Sequence, residues 1–239
     1  MSFFQPQRFS ILPPVVKNIL IINGLLFLAT ITLSSSNINL RQILGLYYWN
    51  SQSFETWQII THMFMHGSFT HIAFNMFAVW MFGSQLENLW GSKRFLNYYL
   101  LTGLGAAFLH YLIIHFQVLN LESLMDYNQI STILDKGIVP EGIVRSDANK
   151  LFNLYNTPVV GASGALFGLL IAFGLLFPNA LLIFLFFPFP IKAKYFVLIY
   201  GIIELYLGLQ NNSNIAHFAH LGGMIFGFII IKYWQWKNR

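Results

Sequence analysis

Six mainly apolar stretches recur along the chain, at roughly 18–34, 67–86, 95–115, 159–177, 189–209 and 215–232. Each is long enough to cross a bilayer core as a helix. The pattern predicts an all-α membrane protein, a six-transmembrane-helix bundle with both termini on one side. Tails 1–17 and 233–239 flank a membrane domain at 18–232, and two long connections, 35–66 and 116–157, fall on the opposite side. The first is aromatic, "LGLYYWNSQSFETW", and suits the membrane interface. The second carries Glu122, Asp126, Asp135, Glu141 and Asp147 and exceeds ordinary loop lengths, which predicts a functional, partly helical or mobile segment. The phenylalanine-rich run with Pro188 and Pro190 reads as an interfacial approach to the fifth stretch.

Composition agrees with a bilayer solvent: 56% of the residues are hydrophobic and 9% charged. The net charge of +5 would raise nucleic acid in a soluble protein, but here the basic residues lie between apolar runs. Nine of the thirteen lysines and arginines fall on the side of the termini, which the positive-inside rule makes cytoplasmic. With no cysteine, disulfides and thiolate metal sites are excluded. The first run resembles a secretory signal, but it is long for one and no clear cleavage site follows.

Polar groups inside a bilayer are costly, so each asks for a partner or a function. Ser163 and His220 each lie about five residues into a stretch running from outside to inside, which at helical rise puts both about 8 Å below the outer surface. His71 and Asn75, spaced i, i+4, share a helical face at comparable depth. A hydroxyl, an imidazole and neutral donors are what acyl transfer needs. Gly161 and Gly164 would let a substrate backbone approach Ser163, and a helix start leaves N–H groups free. Competing readings are helix packing for Gly164, Gly168, Gly223 and Gly227, at the small-xxx-small spacing, and metal binding for His62 and His66. The second is disfavoured because "HMFMH" lacks the glutamate of H-E-x-x-H. Glu87, beside Lys93 and Arg94, reads as one half of an ion pair; Glu204 has no assignment from sequence.

These residues resemble the rhomboid family of intramembrane serine proteases over nearly the whole chain. The G-x-S-G motif is Gly161, Ala162, Ser163 and Gly164; A-H-x-x-G is Ala219, His220, Leu221, Gly222 and Gly223; the histidine pattern is His62, His66, His71 and Asn75. The resemblance implies a rhomboid-type six-helix fold and a serine endopeptidase with a Ser163–His220 dyad and no aspartate. It implies that His71, Asn75 and the Ser163 N–H hold the oxyanion, that His62 and His66 order the first outer loop, and that no cofactor or metal is needed. The expected partners are single-span membrane protein substrates and the lipid bilayer. The expected location is the plasma membrane, with cytoplasmic termini and a site opening to the outer side. Two positions depart from common bacterial patterns: Gln58 follows Trp57 where an arginine is common, removing a possible ion pair to Glu87, and Phe167 replaces a tyrosine four residues after the nucleophile, keeping an aromatic face beneath the histidine. A non-catalytic rhomboid-like protein that binds membrane clients is the alternative.

Overall fold

The computed structural model describes residues 9–184, 187–210 and 217–237. The parts of the two expected tails at 1–8 and 238–239, the start of the sixth stretch at 215–216, and residues 185–186 lie outside the described residues. The described chain is mostly helical. Its long helices are α1 (Pro14–Ser34), α4 (Phe69–Trp90), α5 (Ser92–Glu122), α8 (Ser163–Leu176), α9 (Ala193–Gln210) and α10 (His217–Lys237), with short helices α2 (Leu40–Leu44), α3 (Gln58–Thr61), α6 (Tyr127–Lys136) and α7 (Arg145–Asn156) in the connections. Three of them, α1, α5 and α9, are long and apolar enough to cross a membrane by length and composition, while α8 is apolar but shorter.

Local chemistry sets the helix ends. Pro14 opens α1, where a missing N–H costs nothing. The next two free N–H groups, of Val15 and Val16, donate to the Glu87 carboxylate at 2.9 and 2.8 Å, and Ser92 Oγ donates to it at 2.6 Å. The expected ion pair of Glu87 with Lys93 or Arg94 is therefore corrected: the carboxylate caps the positive end of α1, and Arg94 stacks on Trp234 instead, 4.0 Å from the ring centroid. Ser68 caps α4 by accepting from the His71 N–H at 3.1 Å.

A short antiparallel hairpin corrects the all-α expectation. Strands β1 (Leu181–Phe184) and β2 (Phe187–Lys192) pair Leu181 with Lys192 and Leu182 with Ile191. Helix α9 consequently begins at Ala193, after the Pro-x-Pro sequence, because neither proline can donate to a helical ladder. The 116–157 connection is largely helical. Helix α5 runs on to Glu122, and α6 and α7 fold back on that extension around Tyr48, Ile133, Leu151 and Tyr155.

Helix α10 packs between α5 and α8 in the core of the bundle. The approach is closest at Gly223, where an added Cβ would stand 1.9 Å from the Gly164 carbonyl oxygen. Only a glycine permits this backbone-to-backbone crossing, and the crossing brings the start of α8 to the start of α10.

Candidate active site

Ser163 is the first residue of α8. That helix has no side-chain cap, so its first-turn N–H groups remain available as donors. His220 is one turn into α10, and its Nε2 lies 2.9 Å from Ser163 Oγ. Phe167, one turn after Ser163, stacks on the His220 ring with centroids 4.2 Å apart and planes 5° from parallel. Tyr200 of α9 also packs against Phe167, with ring centroids 5.1 Å apart.

One more expected residue, His71, reaches the site from α4, and Asn75 follows it one turn later on the same helix. His71 and the Ser163 hydroxyl flank Gly161, where an added Cβ would stand 3.0 Å from His71 Cε1 and 3.4 Å from Ser163 Oγ. Gly161 has φ +138°, a backbone region that side chains avoid, so the space between imidazole and hydroxyl stays open. Asn75 is buried and donates from Nδ2 to the His71 carbonyl at 2.8 Å. Gly164 lies against Ala106, whose Cβ would be 2.5 Å from an added Cβ.

His62 supports the segment before the nucleophile through its backbone, while His66 packs against His71. The Gly161 N–H donates to the His62 carbonyl at 3.0 Å, and Leu46 pairs with Val159 in an isolated bridge. His62 Nδ1 donates to the Gln58 carbonyl at 2.8 Å, and the His66 ring meets the His71 ring edge-on at 5.0 Å. Burial pushes both His62 and His66 down from 6.5 to about 4, with the nearby His71 adding to the effect on His66. Both are neutral near pH 7.

Two functional contacts escaped the sequence reading. The buried Gln58 side chain accepts from the Tyr47 and Glu55 N–H groups at 3.3 and 3.1 Å and donates to the Ser53 and Ile43 carbonyls at 2.9 and 3.4 Å. One neutral amide thus ties together the outer loop. Glu204, left without an assignment by the sequence, is buried on α9 with Oε2 at 2.9 Å from His220 Nδ1 and 2.7 Å from His217 Nδ1. These three residues also have the composition of a metal donor set, with donor atoms within 4.8 Å of one another. Their separations are hydrogen-bond lengths, and the two Nδ1 atoms share one oxygen. The signal in the sequence was a lone carboxylate in an apolar helix and two histidines at i, i+3.

The geometry joins motifs that are far apart in the chain. The rhomboid domain family model matches residues 53–120 and 136–236, which include all of these side chains. The chain belongs to the rhomboid family. It is a membrane protein, and among rhomboids it is 32% identical over 174 residues to the rhomboid protease GluP of Bacillus subtilis, covering 73% of this chain and 25% of the relative. It is 27% identical to the candidate rhomboid protease YdcA of the same organism, over 94% of this chain and 90% of the relative. It is 28% identical to the rhomboid protease AarA of Providencia stuartii, over 73% and 54% respectively. The chain thus spans only a quarter of GluP and about half of AarA, but most of YdcA. The stretch between the two matched parts, 121–135, holds most of α6.

Proposed function

We propose that this rhomboid is an intramembrane serine endopeptidase that cuts single-span membrane proteins, with Ser163 as nucleophile and His220 as base. The observation that carries the reading is the 2.9 Å contact between Ser163 Oγ and His220 Nε2. The stacked Phe167 ring supports it by holding the imidazole plane. His220 takes the hydroxyl proton as Ser163 Oγ attacks the scissile carbonyl carbon. The oxyanion lies between the first N–H groups of α8 and the side chains of His71 and Asn75. His220 then protonates the leaving amine as the C–N bond breaks, and water hydrolyses the acyl-enzyme in a second, equivalent cycle.

In this reading 18–232 is the membrane domain, and α1, α4, α5, α8, α9 and α10 all span the bilayer. The tails 1–17 and 233–239 are cytoplasmic, and the outer connections 35–66 and 116–157 lie on the far side of the plasma membrane. The site opens to that outer side, at the shared level where α4, α8 and α10 begin. Segment 116–157 stands above it, where it can select or shield substrates. The test is co-reconstitution of the full chain with a single-span substrate in liposomes. Cleavage by the wild type and none by Ser163→Ala is expected; equal cleavage by both would refute the assignment, and client binding without any cleavage would favour the non-catalytic alternative.

A further inference from the structure

We infer that Glu204 is a positioning residue for His220, fixing the ring's tautomer and which way round the ring sits in its stacked plane, and that His217 in turn holds Glu204 in place. The inference rests on the serine-protease reading and adds a third residue to it. A carboxylate oxygen accepts and cannot donate when ionised. At 2.9 Å from Glu204 Oε2, His220 Nδ1 must carry the proton, which leaves a lone pair on Nε2. That is the nitrogen lying 2.9 Å from Ser163 Oγ. The base is therefore held in the one neutral tautomer able to take the serine proton.

The two contacts on the ring restrain different motions. Stacking on Phe167, with planes 5° apart, sets the plane but is satisfied equally after a half-turn of the ring about its Cβ–Cγ bond, which exchanges Nδ1 with Cδ2 and Nε2 with Cε1. The Nδ1 bond stops that turning. A glutamate has three side-chain torsions of its own, and the second donor, His217 Nδ1 at 2.7 Å, removes their freedom. Helix geometry supplies the alignment. On α9 the buried residues are Ala193, Val197, Glu204 and Gly208, a single face at helical spacing, and His217 and His220 share a face of α10. A buried carboxylate in an apolar helix is costly unless it is hydrogen-bonded; these two imidazoles satisfy it. When His220 takes the proton, the same oxygen faces the new positive charge, so the bond strengthens as the reaction proceeds.

Two measurements test this on the full chain in detergent. The first is the 15N spectrum of histidine-labelled protein, with the His220 signals assigned by their loss in His220→Gln. The expected result is the Nδ1–H tautomer at His220; an Nε2–H tautomer would overturn the inference whether or not the protein is active. The second is kcat and KM on a single-span peptide substrate. Glu204→Gln is expected to lower kcat by about 10²-fold or more, with KM little changed. His217→Gln, which keeps the Glu204–His220 contact, is expected to lower kcat by about tenfold, and to add little in the Glu204→Gln background because both act through one oxygen. Wild-type kcat in Glu204→Gln, with Ser163→Ala inactive, would overturn the positioning role and leave the protease reading intact. A wild type that neither cleaves nor labels would instead break the protease reading, and the kinetic role of Glu204 with it.

Discussion

Gln58 shows how one residue can carry a loop. Its amide spans four backbone groups of the outer connection, so its loss strands buried donors and acceptors. Gln58→Ala is expected to lower stability by about 1–3 kcal/mol, read as a shift in a detergent denaturation curve. Two histidines make a second residue-scale prediction. Folding holds His62 and His66 at about 4, below the 6.5 of an exposed ring, so between those values the unfolded chain binds protons that the folded chain refuses. Stability is therefore full above pH 6.5 and falls as the pH drops towards 4, by up to ~3 kcal/mol for each ring. The melting temperature is expected to drop between pH 7 and 4.5, and to drop less in His66→Phe; a flat profile in the wild type would refute the assignment. The proximity of Ser163, His220 and His71 was legible in the sequence because intramembrane polar residues at one depth are few. Gln58 and Glu204 were not, because what they do depends on partners in other elements.

At the scale of elements, the crossing of α8 and α10 decides whether the site exists. The contact at Gly223 leaves no room for a methyl group, so Gly223→Ala must separate the helices and draw His220 from Ser163. Loss of activity together with a lower melting temperature is expected, whereas Gly24→Ala, in α1 with nothing near its Cβ position, is expected to change neither activity nor melting by much. Apolar length located the long helices: the stretches read at 18–34 and 67–86 correspond to α1 and α4 at Pro14–Ser34 and Phe69–Trp90. Their ends shifted because capping, through Glu87 on α1 and Ser68 on α4, sets a terminus more sharply than hydropathy does. The hairpin at β1 and β2 was hidden in a run whose hydropathy suits a helix as well as a strand. Helices α6 and α7 lay inside a polar connection, and their short buried faces become visible only against Tyr48 and the extension of α5.

For the whole molecule, orientation and activity are the claims at stake. The chain has no cysteine, so single cysteines report topology directly. Tyr127→Cys in α6 and Trp236→Cys near the end of α10 replace residues exposed on the protein surface. In intact cells a membrane-impermeant maleimide is expected to label the first and not the second; the opposite pattern would invert the proposed orientation. The central claim is that distant motifs assemble an activated serine. The most direct measurement is reaction of purified wild type, Ser163→Ala and His220→Ala with a fluorophosphonate probe. Labelling of the wild type alone is the predicted result; no labelling of folded wild type, or equal labelling of Ser163→Ala, would contradict it.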